Sequence, residues 1–199
     1  NVFVKSVINK TIHKVTRRGK FIIFHLSPKG FIMAHLRMTG KFVFLEQKKP
    51  FHQHDRVVFS LKNSKNLIFN DLRCFGTIEY TENYLKHKSI NLLGVEPLQH
   101  SFNQDILLQL LRNRKTDIKS LLLNQSLIVG LGNIYIAEVL FECGISPFRR
   151  AAEISSEEAS QIVVAIKKIL ELGIKYNGTS ISNYKRVDDK SGQFQSFLK

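Results

Sequence analysis

The chain has 199 residues, enough to bury one large hydrophobic core or two smaller ones. Hydrophobic residues make up 43% of it and charged residues 23%, a composition that is ordinary for folded proteins and excludes intrinsic disorder. The 30 lysines and arginines outnumber the 16 acidic residues, and the resulting net charge of +14 favours a polyanionic partner, above all nucleic acid, over an anionic membrane or a basic surface that is merely solvated.

Membrane-spanning and disulfide-stapled proteins are excluded as well. No apolar run approaches the roughly 20 residues that a membrane-spanning helix needs, so we expect a soluble protein with no membrane partner. The chain has only two cysteines, Cys74 and Cys143, which cannot form a disulfide framework or a metal site by themselves. We therefore expect no metal and no other cofactor in this chain, and a reducing compartment such as the cytoplasm.

Short β-like runs occupy the chain from Val2 to about Tyr80. They are rich in Phe, Ile and Val, and clusters of Gly, Pro, Asn and Lys separate most of them. This pattern predicts an antiparallel sandwich or barrel. The predicted strands are Phe21–Leu26, Phe31–His35, Lys41–Leu45, Val57–Leu61, Asn66–Phe69 and Gly76–Tyr80.

Helical periodicity replaces the β pattern in the second half of the chain. Asn103 is the predicted N-cap of one helix, and a second apolar run covers 118–123. Ser155 and Glu158 form a capping box before a long helix that is predicted to end near Gly178. The predicted fold is α+β, with a β-sandwich or barrel domain at residues 1–88 and a helical domain at residues 89–199.

Gly130 and Gly132 permit tight turns shortly before the apolar segment Ile134–Phe141, which is predicted to be helical. Free backbone N–H groups at such a helix start can hold a phosphate. The whole stretch from Leu121 to Tyr135 closely resembles the helix-two-turns-helix element of formamidopyrimidine-DNA glycosylases and their endonuclease VIII relatives. The resemblance implies that Asn133 and its neighbouring amides bind the DNA backbone beside a lesion.

The motifs HLRMTG and DLRCFG resemble the two loops with which this family enters the duplex. The resemblance implies that Met38 fills the space left by an extruded nucleotide, because flipping a base costs stacking and pairing energy. Arg73 is expected to hydrogen-bond the orphaned base and Phe75 to stack on it. His35 begins the first motif and is expected to contact DNA, whereas Cys74 stands where relatives often carry a basic residue.

Further basic positions match the family in the same order. The stretch 17–21 resembles the strand that carries the family's lysine beside the scissile phosphate, and this maps the lysine, implicated in β-elimination, onto Lys20. The resemblance also places His54 on the DNA backbone. Lys115 and Lys119 match basic positions that are expected to make sequence-blind, salt-sensitive phosphate contacts.

The stretch from Gly178 to Gln195 resembles the loop that closes over the extruded purine. The resemblance implies that its small and polar residues offer backbone N–H groups to a purine oxygen. The expected lesion-capping residues are Thr179, Ser180, Ser182 and Tyr184.

The resemblance covers nearly the whole chain and implies a base-excision-repair DNA glycosylase and AP lyase. Such an enzyme flips out and removes oxidised purines, namely 8-oxoguanine and formamidopyrimidines, and nicks the abasic site by β,δ-elimination. The expected partner is double-stranded DNA that contains oxidised bases or abasic sites. We expect a monomer that acts at the nucleoid in the bacterial cytoplasm.

Two parts of the family pattern are missing from the sequence. The family uses an N-terminal proline as nucleophile with an adjacent glutamate as acid, but no proline precedes Pro28. The four-cysteine zinc ribbon of the family is expected beyond Lys199. We therefore expect a partial sequence that is inactive as it stands, and one structural zinc in the intact protein.

Two alternative functions stay open. One is an endonuclease VIII-like glycosylase for oxidised pyrimidines, and the other is a non-catalytic DNA-binding relic of the family. The spacing of Arg73 and Phe75, together with the long lid, favours the purine enzyme. A ribosome-associated protein would explain the charge, but it would need no intercalating loops.

Overall fold

The strand-forming runs of the first half of the chain build two antiparallel sheets in the computed structural model, which describes residues 2–46, 50–178 and 193–197. The strands are β1 (Thr11–Arg18), β2 (Phe21–Ser27), β3 (Phe31–His35), β4 (Gly40–Leu45), β5 (Asp55–Ser60), β6 (Asn66–Asp71) and β7 (Thr77–Thr81). One sheet has the order β1-β2-β3-β7 and the other the order β4-β6-β5. Of the two forms predicted for the β domain, the described strands adopt the sandwich.

One hydrophobic core lies between the two sheets. Phe24 and Ile32 of the first sheet belong to the same buried cluster as Phe42 and Phe69 of the second. The ring centroid of Phe42 lies 5.2 Å from that of Phe24 and 5.4 Å from that of Phe69. These rings hold the sheets together, since truncating one buried phenylalanine to alanine typically costs about 3–5 kcal/mol.

The start of the chain differs from the predicted β pattern. Val2–Val7 forms a helix, α1, although its sequence is rich in valine. Phe3 and Val7 lie one helical turn apart, and the helix packs both of them against the core of the sandwich. Strand β1 is not among the predicted strands, because its sequence TIHKVTRR has only two apolar residues and so shows no clear apolar face; none of its residues is buried.

The second half of the chain is helical, as predicted. Asn103 accepts a hydrogen bond from the N–H of Ile106 at 3.0 Å, which confirms the predicted N-cap. The predicted capping box is also confirmed, because the N–H of Ser155 donates to Glu158 at 2.8 Å and the N–H of Glu158 donates to the Ser155 hydroxyl at 3.2 Å. The helices are α2 (Lys88–Asn91), α3 (Gln104–Leu111), α4 (Ile118–Leu123), α5 (Asn133–Glu142) and α6 (Ser156–Lys175).

The chain divides into two compact units. The first comprises Asn1–Tyr84 and Tyr176–Ser196, and the second Leu85–Lys175 and Phe197–Lys199. The predicted boundary between residues 88 and 89 falls inside α2, shortly after the change of unit. Within the described ranges, no helix combines the length and the apolar character needed to cross a membrane.

Candidate nucleic-acid interface

Met38 lies in the tight turn between β3 and β4, with 69% of its surface exposed. The N–H of Gly40 closes the turn by donating to the carbonyl of Leu36 at 2.9 Å. A side chain at Gly40 would place its Cβ only 2.5 Å from that carbonyl oxygen, so this close approach requires glycine. Arg37 has a positive φ of 52°. The turn therefore presents an unbranched apolar side chain to solvent on a short, hydrogen-bonded backbone.

A second exposed loop follows β6 and carries Arg73 and Phe75. The Arg73 guanidinium carbon lies 4.7 Å from the centroid of the Phe75 ring, a cation–π distance. Phe75 is 54% exposed and its neighbour Leu72 is 50% exposed. Cys74 is also exposed and has a positive φ of 57°. Large apolar side chains on such a loop are available to a partner rather than to the core of the unit.

The carboxylate of Asp71 holds this second loop in place. It accepts the N–H of Gly76 at 2.8 Å and the N–H of Arg73 at 3.2 Å. It also accepts a hydrogen bond from the hydroxyl of Thr39, which belongs to the Met38 turn. Met38, Arg73 and Phe75, the three side chains predicted to enter the duplex, are therefore carried by loops that share one buried side chain.

His54 lies beside the same strand end. Its carbonyl accepts the N–H of Asp71 at 2.9 Å, and its Nδ1 lies 3.3 Å from an Nη of Arg56. Arg56 also donates through Nε to the carbonyl of Asp71 at 2.8 Å. The half-buried His54 is thus brought next to the Arg73 loop.

Lys20 and His35 form a second pair of predicted residues in the first unit. Lys20 lies in the hairpin between β1 and β2, where Gly19 has a positive φ of 56°. Lys20 is exposed, but protein atoms beside its ammonium group displace enough water to lower its pKa. Phe21 follows it and packs edge-on against His35, with ring centroids 4.8 Å apart.

The imidazole of His35 is neutral at neutral pH. Burial lowers the pKa of His35 to about 4, and the positive charges of Arg37 and Lys20 contribute less. Its Nδ1 lies 3.1 Å from the N–H of Arg37 and accepts it, so the ring proton resides on Nε2. His35 is therefore suited to donate a neutral hydrogen bond rather than to supply a positive charge.

In the second unit, Asn133 is the exposed first residue of α5. The N-cap is Gly132, which has no side chain with which to cap the helix. The turn before it is held by Gln125, whose side-chain oxygen accepts the N–H of Gly130 at 2.9 Å. The side-chain amide of Gln125 donates to the carbonyls of Leu123 and Leu131 at 2.8 and 3.0 Å. This arrangement leaves a helix N-terminus and an exposed amide side chain able to receive an anion.

Lys115 and Lys119 flank the N-terminus of α4. Lys115 is exposed in the segment before the helix, and Lys119 is half-buried in its first turn. Asp117 caps the helix by accepting the N–H of Ser120 at 2.7 Å, and this hydrogen bond lowers the pKa of Asp117. The two lysines thus lie on either side of the capped start of α4 within the second unit.

The predicted lesion-capping residues lie outside the described residues. They are Thr179, Ser180, Ser182 and Tyr184. In the part of the chain that the structure describes, no three His, Cys, Asp or Glu side chains come together as a metal site. Cys74 and Cys143 are both free thiols and belong to different units.

Comparison with known proteins identifies the family. Residues 1–78 match the model of the formamidopyrimidine-DNA glycosylase N-terminal domain, and residues 93–185 match the model of the H2TH domain of the same glycosylase. The formamidopyrimidine-DNA glycosylase of Carboxydothermus hydrogenoformans is 40% identical over 197 residues, which cover 99% of this chain and 72% of that protein. The chain belongs to the formamidopyrimidine-DNA glycosylase family. The enzyme of the same name from Mycoplasma mobile is 38% identical and matches 98% of this chain and 72% of its own length.

Solved structures of the family have the same fold. The complex of Lactococcus lactis Fpg with DNA containing an abasic site has a TM-score of 0.89 at 31% identity, covering 98% of this chain and 72% of that one. The Fpg protein of Thermus thermophilus has a TM-score of 0.85 at 34% identity, covering 95% of this chain and 70% of that one. These matches confirm the predicted α+β fold and the assignment to DNA-repair glycosylases.

A structural zinc is expected in the intact members of this glycosylase family. The described residues of this chain do not fit that ion, because they offer neither a ligand cluster nor neighbouring cysteines. The zinc of the intact protein stays a prediction.

Asp71, Thr39 and Gln125 have no predicted role, although all three lie in or beside the family motifs. Each acts by a hydrogen bond to the backbone of a predicted DNA-contacting segment. An aspartate at the end of a strand, such as Asp71, is a common turn signal in a sequence. The sequence does not show, however, which loop the carboxylate contacts.

Proposed function

We propose that this chain recognises a damaged nucleotide in duplex DNA, and that a protein carrying the whole family sequence removes oxidised purines. In this proposal the enzyme is a glycosylase and AP lyase that excises 8-oxoguanine and formamidopyrimidines and nicks the abasic site by β,δ-elimination. The described residues supply recognition and positioning. The nucleophile of the family is an N-terminal proline, so no covalent step is assigned to the residues of this chain.

The observation that carries the proposal is the exposure of Met38 and Phe75 on tightly hydrogen-bonded loops. Both side chains are more than half exposed, at 69% and 54%. Apolar side chains held rigidly in water are suited to enter a base stack, where they replace the contacts of the extruded base. Arg73 packs on the Phe75 ring, and the N–H groups of its guanidinium can donate hydrogen bonds to the unpaired base.

Phosphate binding is proposed for both units. Asn133 and the N-terminus of α5 would bind one phosphate, with Lys115 and Lys119 binding others. His54 and His35 would contact the backbone from the first unit, His35 as a neutral donor. The net charge of +14 supports a partner with this density of negative charge.

Lys20 is proposed to act next to the scissile phosphate. Its ammonium form would pair with the phosphate, while partial desolvation lowers its pKa and so favours proton exchange during β-elimination. Pairing with the phosphate is its primary role in this proposal, because only the ammonium form carries the charge that the phosphate attracts.

A purine substrate is favoured over a pyrimidine by the Arg73–Phe75 pair. A complex of a Lactococcus lactis Fpg mutant, a relative at 32% identity, with DNA that contains Fapy-dG supports a substrate of this class. The proposed protein works as a monomer on the nucleoid in the bacterial cytoplasm. Residues 1–88 and 89–199 are proposed as its two domains.

Equilibrium binding of the 199-residue chain tests the proposal. Labelled duplexes that differ at one central position would carry a tetrahydrofuran abasic analogue, 8-oxoguanine, thymine glycol or an undamaged base. At one salt concentration we expect the duplex with the abasic analogue to bind about tenfold or more tightly than undamaged DNA. The analogue has no base, so no stacking or pairing is lost when the nucleotide swings out.

The order of the remaining duplexes separates the alternatives. A preference for 8-oxoguanine over thymine glycol supports the purine enzyme, and the reverse order supports an endonuclease VIII-like enzyme. Equal binding to every duplex supports a non-catalytic relic. For the chemistry, a protein completed with the family's N-terminal proline should give a borohydride-trapped adduct on an 8-oxoguanine duplex, and failure to trap would contradict the lyase assignment.

A further inference from the structure

Asp71 is a buried carboxylate at the meeting point of three loop segments. It is the last residue of β6 and is 0% exposed. Its backbone N–H donates to the carbonyl of His54 at 2.9 Å, and its carbonyl accepts from Nε of Arg56 at 2.8 Å. The backbone of Asp71 therefore ties the end of β6 to the segment that carries His54.

The side chain of Asp71 joins the other two segments. One carboxylate oxygen accepts the hydroxyl of Thr39 and the N–H of Arg73, and the other accepts the N–H of Gly76 at 2.8 Å. The N–H of Arg73 also reaches the Thr39 hydroxyl oxygen at 3.1 Å. Thr39, Asp71 and Arg73 thus form a closed set of hydrogen bonds between the Met38 turn and the Phe75 loop.

The hydrogen bonds keep this buried carboxylate ionised. Burial by itself would raise the pKa of Asp71, but the Thr39 hydroxyl and the N–H groups of Gly76, Arg73 and Phe75 outweigh it and lower the pKa. A buried charge is tolerated only when such donors replace its hydration. The donors come from two loops, so the carboxylate favours the conformation in which both loops converge on it.

We propose that Asp71 and Thr39 are positioning residues that hold Met38, Arg73 and Phe75 in one arrangement before DNA binds. The inference rests on the proposed function, in which these three side chains enter the duplex. Asp71 and Thr39 would themselves touch no base, but would fix the positions of the three side chains that do. Loops fixed in advance lose less conformational entropy on binding than mobile loops do, and this gain appears as affinity.

Thr39→Val is the central test, because valine keeps the shape of threonine and removes the hydroxyl that links the loops. Thr39→Ser keeps the hydroxyl and should rescue the effect. Thr81→Val is the matched control, since the Thr81 hydroxyl accepts the N–H of Asn83 at 3.2 Å elsewhere in the first unit. The probe is a tetrahydrofuran duplex with 2-aminopurine opposite the missing base, whose fluorescence reports insertion at that position.

Loss of the linking hydroxyl should weaken binding of Thr39→Val to this duplex by about fivefold, the value of one ordinary hydrogen bond. At saturating protein its fluorescence change should be smaller than that of the unmodified chain. Thr39→Ser and Thr81→Val should stay within about twofold of the unmodified chain. Full affinity and a full fluorescence change in Thr39→Val would overturn the proposal, as would equal losses in Thr39→Val and Thr81→Val.

Hydrogen exchange of the unmodified chain gives an independent readout without DNA. The amides of Arg73 and Gly76 lie in an exposed loop, yet the proposal expects them to exchange more slowly than those of Leu72 and Cys74. Exchange at the unprotected rate would overturn the proposal even if Thr39→Val failed to fold. If the amides are protected but the unmodified chain gives no fluorescence change on any duplex, the proposed function fails while the arrangement of the loops stands.

Discussion

The side-chain oxygen of Gln125 accepts the N–H of Gly130 at 2.9 Å, and this single bond spans the turn that leads into α5. The amide group of the same side chain donates to the carbonyls of Leu123 and Leu131. Gly130 has a positive φ of 94°, a conformation that side-chain-bearing residues rarely adopt. Gln125 therefore stabilises the turn that precedes α5.

Replacing Gln125 with leucine should weaken binding to every duplex by about tenfold, because the lost hydrogen bonds hold the proposed phosphate-binding turn. The loss should be the same for undamaged and abasic DNA, since phosphate contacts carry no sequence information. Fluorescence anisotropy measures both. Gln104→Leu is the control: it removes a bond of 2.9 Å to the carbonyl of Ser156 in the same unit and should leave affinity unchanged. Similar losses in both variants would contradict a specific role for Gln125.

Phe75→Ala should reduce the preference for the abasic duplex by roughly five- to hundredfold, because stacking of one base on an aromatic ring is worth about 1–3 kcal/mol. Met38→Ala should reduce the same preference, while affinity for undamaged DNA changes little in both variants. The control is Phe141→Ala, which removes a phenylalanine that is 63% exposed in the second unit. An unchanged ratio of abasic to undamaged affinity in Phe75→Ala would argue against intercalation.

Lys115→Gln and Lys119→Gln should each lower the slope of log affinity against log salt concentration by about one, the value for one phosphate contact. The ratio of abasic to undamaged affinity should stay constant, because a backbone contact does not read the lesion. Lys167→Gln removes one positive charge from α6 of the same unit and serves as the control for net charge. A salt slope that falls equally in all three variants would mean that general charge explains the effect.

The pKa of about 4 for His35 predicts a pH dependence of stability. The folded state holds this imidazole neutral, whereas in the unfolded chain it protonates near pH 6.5. The contribution of His35 to the free energy of unfolding is therefore complete above about pH 6.5. It is lost as pH falls from about 6.5 through 4, because protonation then favours the unfolded state. Urea unfolding across this range measures the effect.

His35→Asn should flatten that part of the stability profile, since its side-chain oxygen can replace Nδ1 as acceptor without titrating. The exposed His100 lies in the second unit, and His100→Asn should leave the profile unchanged. An NMR titration of the His35 ring with a midpoint at its ordinary value would contradict the prediction.

Local sequence patterns were sufficient for most secondary-structure elements. Strand β3 and helix α4 have the predicted bounds, and the caps at Asn103 and Ser155 form as predicted. These features depend on neighbouring residues, so alternation, helical spacing and cap chemistry reveal them. The family motifs could also be recognised from the sequence, because each of them, for example GLGNIY or HLRMTG, is one contiguous stretch of the chain.

Tertiary structure alone decided the features that depend on distant residues. The valine-rich start became α1 because a helix places Phe3 and Val7 on the core, an outcome that overrides local β preference. The bond between Thr39 and Asp71 joins residues 32 positions apart, and the lowered pKa of His35 arises from water being excluded by surrounding segments. Neither property is encoded in a local pattern, since packing of separate segments creates both the contact and the low-dielectric environment.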